Sequence, residues 1–179
     1  GGPPEDVEGY STDNYTRFAL DYIKREHNRP WFLWLCYDAV HSPYIAPARH
    51  AELYRDVPVR IPADIYPPRL NKPAYLRDMA WYWKPGTEKH AGVPVRTYQE
   101  HGANYDKWKG IHPDTLPEIV RIYHRAVRAI DEGVGRIVDA LERTGQLDNT
   151  LIVFTSDQGY AFGQHGLEDK VAPYDACMR

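Results

Sequence analysis

The chain has 179 residues, 42% of them hydrophobic and 26% charged, and its 22 basic and 25 acidic side chains give a formal charge of −3. This length allows one domain with a good core, and this balance argues against disorder and against a basic nucleic-acid surface. The longest apolar run spans residues 31–37, far short of the roughly 20 residues that cross a bilayer, and the first residues lack the pattern of a signal peptide.

The first predicted element is an amphipathic helix from about Thr12 to His27. Apolar residues recur in it at helical spacing: Tyr15, Phe18, Ala19, Tyr22 and Ile23. The polar residues 11–13 can cap its N-terminus. The apolar run from Trp31 to Tyr37 follows and predicts a strand that is covered on both faces. A polar loop with His41 comes next.

Residues 44–113 form a proline-rich excursion. Eleven prolines fall between Pro43 and Pro117, whereas none lies between Glu118 and Ala172. The excursion is predicted to be mostly irregular, with one short helix around Ala74 to Trp83. It also carries four aromatic residues whose rings could stack on sugars, namely Trp81, Tyr82, Trp83 and Trp108. Packing in a small satellite core is the favoured interpretation of these four side chains.

A long helix is predicted from about residue 114, with Pro117 in its first turn, to Gly145. Its apolar residues keep a 3.6-residue period: Ile119, Tyr123, Ala126, Val127, Ile130, Val134, Ile137, Val138 and Leu141. Gly133 and Gly135 lie within the helix, and we expect them where the helix packs closely on a sheet.

A second buried strand is predicted from Thr150 to Thr155. The order helix, strand, excursion, helix, strand predicts an α/β fold, with a parallel-stranded sheet flanked by helices. In such sheets, ligands gather outside the carboxyl ends of the strands. The loops after the two predicted strands supply the candidate site residues, which are His41, Asp157, Gln158, His165 and Lys170.

These side chains offer several kinds of chemistry. The adjacent Asp157 and Gln158 carry a carboxylate and an amide oxygen, which suit a hard cation such as Ca²⁺ or Mg²⁺. Taken alone, this pair more often forms a turn that caps a helix. Lys170 could neutralise a sulfate or phosphate group, and His41 could donate a proton or hydrogen bond to an ester oxygen. Each of these two residues, taken alone, is more often ordinary polar surface.

Several blocks of the chain together resemble the type I sulfatases of the alkaline phosphatase superfamily. The segment from Phe154 to Lys170, FTSDQGYAFGQHGLEDK, is similar to their C-terminal metal-and-sulfate motif. Residues 129–136 and 148–150 resemble the helix and strand that precede this motif. Residues 31–43, which end in Ala-Val-His-Ser-Pro, resemble a strand followed by an Ala-Pro-His-x-Pro loop. The blocks keep the order that the family has.

The resemblance implies a role for each candidate residue. Asp157 and Gln158 bind the active-site cation, usually Ca²⁺. His41 and Lys170 contact the sulfate and take part in catalysis, and His165 lies close by and is a third substrate-binding residue. Three positions depart from the common pattern: Gln158 replaces Asn, Val40 replaces Pro and Gln164 replaces Glu. A glutamine keeps the oxygen ligand on a longer arm, so the metal's identity is less defined than its presence.

The nucleophile of such enzymes is a formylglycine made from the Cys or Ser of a C/S-x-P-x-R segment, and two further aspartates complete the metal site. Neither Cys36 nor Cys177 lies in such a segment. We therefore expect residues 1–179 to be the C-terminal part of a sulfatase catalytic domain, incomplete at both ends. Residues 44–113 would be a variable excursion on the substrate side. The formylglycine is expected upstream of this sequence, and the chain alone is expected to be inactive.

The resemblance implies that the intact parent chain hydrolyses a sulfate ester, with sulfated carbohydrates among the substrates. Two alternatives stay open at this point. One is phosphonate monoester or phosphodiester hydrolysis on the same scaffold, and the other is a glycan-binding or structural remnant that has lost the chemistry. The expected partner is a small-molecule or glycan sulfate ester, with no nucleic acid and no membrane. Export to the periplasm, the lysosome or the outside is common in the family, but no residue here reports it.

Overall fold

The computed structural model describes residues 6–41, 44–78, 83–84, 89–90, 115–170 and 172–178. The chain divides into two units. The first comprises Gly1–Tyr54 and Ile122–Val153, and the second comprises Arg55–Arg121 and Phe154–Arg179. The helices are α1 (Ser11–Ile23), α2 (Ala74–Arg77), α3 (Leu116–Arg143) and α4 (Asp175–Met178). The two-residue strands are β1 (Trp83–Lys84), β2 (Lys89–His90), β3 (Ala161–Phe162) and β4 (Glu168–Asp169).

Helix α1 of the first unit confirms the first predicted helix. Its buried face differs in part from the predicted apolar stripe, because only Ala19 and Ile23 of that stripe are buried and Phe18 is exposed. The buried residues of the helix are Thr12, Thr16, Ala19, Leu20 and Ile23. The helix ends at Ile23, before the predicted His27. The Nε2 atom of His27 lies 2.9 Å from the carbonyl oxygen of Tyr22. The same carbonyl group accepts a hydrogen bond from the backbone N–H of Arg25 at 3.2 Å, so one of the terminal carbonyl groups of the helix is satisfied from beyond its end.

Helix α3 confirms the predicted long helix, with Pro117 in its first turn and Arg143 as its last residue. Its residues up to Arg121 belong to the second unit and the rest to the first. The glycines within it differ. A Cβ atom at Gly133 would lie 2.5 Å from the Oγ1 atom of Thr16 in α1, whereas among the described residues nothing lies within 4 Å of a Cβ atom at Gly135. Of the two glycines, only Gly133 is closely packed, and Thr16 of α1 and the Tyr37 hydroxyl approach it rather than a strand ladder.

The core of the first unit lies where α1 meets α3. It consists of Leu20, Ile23, Ala140 and Leu141, against which Trp31, Leu33, Ile137 and Leu147 pack. Gln146 forms hydrogen bonds at the edge of this core. Its Oε1 atom accepts one from the Trp31 indole at 3.0 Å. Its Nε2 atom donates to the carbonyl oxygen of Ile23 at 3.1 Å. The segment after α1 is therefore tied to the residues that follow α3.

Charged side chains join α1, the 3₁₀ turn Ala48–His50 and α3. Arg49 pairs with Asp13 at 2.6 Å and with Glu132 at 3.1 Å. The ring of the buried His50 lies 3.0 Å from the other Glu132 oxygen. Burial raises the pKa of Glu132, but hydrogen bonds from Arg49 and His50 and their charges outweigh burial. The pKa of the Glu132 carboxyl is therefore lowered.

The two predicted buried strands, residues 31–37 and 150–155, join no strand ladder among the described residues. Many of their apolar side chains are exposed, including Phe32 at 78%, Leu151 at 89% and Val153 at 75%. The prediction of cover on both faces is therefore wrong for this chain. An apolar run indicates that a segment can be buried between other elements. The run itself does not specify which neighbouring segments bury it or form its hydrogen bonds.

The described ladders are short and antiparallel. In the second unit, β1 pairs with β2, and β3 pairs with β4 in the register Ala161 to Asp169 and Phe162 to Glu168. The helix predicted around Ala74 to Trp83 is limited to α2, and Trp83 lies in β1 instead. The side chains of the four aromatic residues predicted to pack in a satellite core or to stack on sugars lie outside the part of the chain that the structure describes. No helix within the described ranges is both long and apolar enough to span a membrane.

Candidate functional site

The predicted metal ligands lie on a turn of the second unit. Asp157 and Gln158 follow one another and both are exposed. The hydroxyl of Ser156 donates to the carbonyl oxygen of Gln158 at 2.7 Å. The N–H group of Gly159 donates to the carbonyl oxygen of Cys177 at 3.1 Å. The turn is thus held by its own hydroxyl group and by α4, and two oxygen-bearing side chains face solvent.

A hairpin formed by β3 and β4 connects this turn to Lys170. Its loop depends on glycine, because Gly163 has φ +87° and Gly166 has φ +72°, a region that side chains disfavour. A Cβ atom at Gly163 would lie 2.9 Å from the Cδ1 atom of the buried Ile65. The hairpin loop therefore packs against the proline-rich excursion, and Lys170 directly follows β4 at the base of the hairpin.

His165 lies in the hairpin loop and is held by Asp64, which belongs to the excursion. The Nδ1 atom of His165 is 2.6 Å from the Oδ2 atom of Asp64. Burial raises the pKa of Asp64, but hydrogen bonds from the backbone and ring of His165 and the charge of the ring outweigh burial. The pKa of the Asp64 carboxyl is therefore lowered. One carboxylate thus holds both the backbone and the ring of His165, whose own φ is +57°.

Tyr174 packs against the ring of this histidine with an interplanar angle of 41°. The rings of His165 and Tyr174 have centroids 4.0 Å apart, and the ammonium group of Lys72 lies 4.3 Å from the Tyr174 centroid. The excursion is fixed near Asp64 by the buried guanidinium of Arg69, which donates to the carbonyl oxygens of Asp64 and Leu76, among others. Both sides of the contact between Asp64 and His165 are therefore anchored.

The structure thus brings four of the five predicted site residues into one unit and places the fifth elsewhere. Asp157, Gln158, His165 and Lys170 belong to the second unit, whereas His41 belongs to the first. His41 is exposed, and its N–H group donates to the carbonyl oxygen of Asp38 at 2.9 Å. Its approach to Lys170, and the roles of all five residues, remain predictions. Within the described residues, no three His, Cys, Asp or Glu side chains are grouped to hold a metal ion.

Asp64 and Tyr174 are contacts of the site that sequence reasoning missed. Asp64 is an isolated aspartate within the irregular excursion, 101 residues from His165. Tyr174 follows the motif that carries the resemblance. Neither residue has a spacing or a periodic pattern that would have marked it, so only the folded chain reveals them.

The chain is similar to known proteins along most of its length. The model of the Sulfatase family matches residues 2–177. An N-acetylglucosamine-6-O-sulfatase of Bacteroides thetaiotaomicron is 28% identical over 96% of this chain and 37% of its own length. A choline-sulfatase of Rhizobium meliloti is 28% identical over 86% of this chain and 26% of its own. A solved structure, in complex with its substrate D-glucosamine-2-N,6-O-disulfate, is 25% identical with a TM-score of 0.72, over 97% of this chain and 42% of its own.

The chain therefore spans well under half of the length of these relatives. Within that part, the structural similarity confirms the predicted α/β fold of the alkaline phosphatase and sulfatase type. The match to the family model extends over nearly every residue, including both predicted loops of the site. The chain belongs to the sulfatase family.

Proposed function

We propose that the natural protein containing this chain hydrolyses sulfate esters of an organic substrate, such as a sulfated carbohydrate, and releases sulfate. Family membership carries the proposal, together with the segment from Asp157 to Lys170 that lies within one unit. The relatives support the class of substrate. One is named for a sulfated N-acetylglucosamine and one for choline sulfate, and the solved neighbour holds a sulfated glucosamine.

A divalent cation fits the chemistry of the predicted metal ligands. Asp157 and Gln158 are exposed neighbours on an anchored turn, and each offers an oxygen atom, the ligand that Ca²⁺ prefers. Ca²⁺ takes about six to eight oxygen ligands, so these two residues would supply only part of its shell. Sulfatases generally use a divalent cation and a formylglycine, and we assign Ca²⁺ to this turn. When bound, the cation would offset negative charge on the sulfate oxygens.

The chain's other site residues have complementary tasks. The ammonium group of Lys170 donates hydrogen bonds to the sulfate and offsets its charge. His41 donates a hydrogen bond or a proton to the ester oxygen that leaves with the alcohol. No C/S-x-P-x-R segment occurs in this sequence, so no nucleophile is assigned to it.

The test measures sulfate release by the natural protein from 4-nitrophenyl sulfate and from glucosamine 6-sulfate, in the presence of Ca²⁺. We expect Asp157→Ala and Lys170→Ala each to lower kcat/KM by about 100-fold or more, because each removes charge stabilisation at the reacting group. The matched controls are Asp148→Ala and Lys24→Ala, which remove exposed residues of the same types. Their kcat/KM should stay within about twofold of the parent value.

Two results would contradict the proposal. Full activity of Asp157→Ala after treatment with EDTA would show that catalysis needs no cation at this turn. Efficient hydrolysis of bis(4-nitrophenyl) phosphate, with no hydrolysis of either sulfate ester, would replace sulfate by a phosphodiester as the substrate class.

A further inference from the structure

The contact between Asp64 and His165 defines which ring nitrogen carries a proton. An ionised carboxylate only accepts hydrogen bonds, and the lowered pKa of Asp64 keeps it ionised near neutral pH. The Nδ1 atom, 2.6 Å from the carboxylate, must therefore carry the hydrogen. With Nδ1–H directed at Asp64, Nε2 is the ring nitrogen left for another partner.

The Nε2 atom of His165 is available to a ligand. Within the described part of the chain, the ring's hydrogen bond is made through Nδ1. The side chain is 27% exposed, so part of the ring reaches solvent. Tyr174 on the ring face and Asp64 on the ring edge restrict both the tilt and the rotation of the imidazole. The direction in which Nε2 points is consequently fixed before any ligand binds.

His165 also lies close to the residue assigned to the sulfate. It occupies the loop of the hairpin whose base leads to Lys170. Five residues of extended chain span at most about 17 Å, and the turn of the hairpin shortens this distance. The organic part of a substrate held at Lys170 by its sulfate would have to extend along the hairpin, over less than this distance, to meet Nε2.

We propose that Asp64 is a positioning residue of the sulfate-ester site, which holds His165 so that Nε2 binds a hydroxyl group on the organic part of the substrate. This inference rests on the proposed function and narrows its substrate class to hydroxylated esters, such as sulfated sugars. Asp64 acts through His165 and touches no substrate itself.

A hydroxyl group is the partner that suits Nε2 in either state of the ring. Sulfate oxygens only accept hydrogen bonds, so they can pair with Nε2 only when the ring is charged. A hydroxyl group donates to the neutral ring and accepts from the charged ring. A site that binds a substrate hydroxyl in this way discriminates against an ester that lacks the hydroxyl, because the polar group of the site is then left without its partner.

The experiment compares two esters and two matched variants of the natural protein. Asp64→Asn keeps the size of the side chain but removes the charge that fixes Nδ1–H. We expect it to lower kcat/KM for glucosamine 6-sulfate by about tenfold or more, as is usual when an orienting partner is lost. For 4-nitrophenyl sulfate, which has no hydroxyl group, the change should stay below about twofold, since no contact with Nε2 is lost. The control is Asp78→Asn, an exposed aspartate paired with its neighbour Arg77, and it should leave both values unchanged.

A second measurement reads the tautomer directly and needs no activity. ¹⁵N NMR of histidine-labelled protein should show His165, identified by the signals lost in His165→Ala, with its proton on Nδ1. In Asp64→Asn the Nε2–H form should appear. If Asp64→Asn does not fold, His165→Ala takes its place in the ester comparison, with the same expected selectivity.

Two outcomes would overturn the inference. One is a parent protein in which neutral His165 carries its proton on Nε2. The other is an equal loss for both esters in Asp64→Asn, which would assign Asp64 a merely structural role. A parent protein that hydrolyses neither ester is a different result, because it refutes the proposed function, and the tautomer then decides the positioning by Asp64 alone.

Discussion

Replacing Gly133 by alanine tests the close approach of α1 to α3. The added Cβ atom would lie 2.5 Å from Thr16 Oγ1 and 2.9 Å from the Tyr37 hydroxyl. These two hydroxyl groups are 3.0 Å apart and share a hydrogen bond. The methyl group would therefore displace both partners of that bond. Gly135 in the same helix is the matched control, because a methyl group there meets no described atom within 4 Å.

The magnitude follows from opposing effects. Alanine exceeds glycine in helix propensity by about 0.8–1 kcal/mol, which favours both variants. At Gly133, overpacking costs about 1–3 kcal/mol and loss of the hydrogen bond about 0.5–1.5 kcal/mol. We therefore expect Gly133→Ala to lower the free energy of unfolding by about 0.5–4 kcal/mol. Gly135→Ala should raise it by about 1 kcal/mol.

Thermal unfolding of the natural protein measures this difference. Each kcal/mol corresponds to about 2–4 °C in Tm for a domain of 150–250 residues, and to less in a larger domain. Gly133→Ala should lower Tm, while Gly135→Ala should raise it by a few degrees. A rise of the same size in both variants would refute the packing argument, because propensity alone would then account for both positions.

Two further predictions concern the first unit. Gln146→Ala removes the acceptor of the Trp31 indole and should destabilise the protein by about 1–3 kcal/mol, measured by urea unfolding; an unchanged midpoint would show that water replaces the amide. Glu132, whose pKa is lowered by Arg49 and His50, contributes stability that is present above its unfolded pKa of about 4.3 and is lost as pH falls through its lower folded value. Glu132→Gln should therefore weaken the fall of Tm below about pH 4.5, and an unaltered pH profile would contradict this assignment.

The helices could be predicted where local periodicity sets them. The apolar stripe of α3 continues for many turns, so both its existence and its bounds follow from the sequence. The end of α1 was predicted four residues too late, because contacts such as that of the His27 ring with the Tyr22 carbonyl are not recorded in any periodicity. The apolar runs at residues 31–37 and 150–155 have the same sequence pattern as strands that are buried on both faces. Burial depends on which segments pack against a strand in space. The exposure of Leu151 could therefore not be predicted from the apolar residues next to it in sequence.

The residues of the candidate site also differ in whether the sequence could predict them. Asp157, Gln158 and Lys170 were marked by a continuous motif, whose order of residue types is visible without a structure. The partner of His165 was not, because Asp64 reaches it from an irregular segment far away in the chain. A contact of this kind depends on the path of the backbone between the two residues. In this chain, Arg69 and the glycines of the hairpin loop define that path in the folded protein.

The exposed face of residues 31–37 also has an optical consequence. The Trp34 side chain is 75% exposed, and its indole N–H lies 2.6 Å from the Cys36 sulfur, whereas Trp31 packs on the core and donates to Gln146. Iodide in solution should therefore quench the fluorescence of Trp34 and spare that of Trp31. Any polypeptide that comes to lie over this face will exclude the quencher and shift Trp34 emission to shorter wavelength. The difference spectrum between the parent and Trp34→Phe thus gives this segment an intrinsic signal for the moment at which it becomes covered.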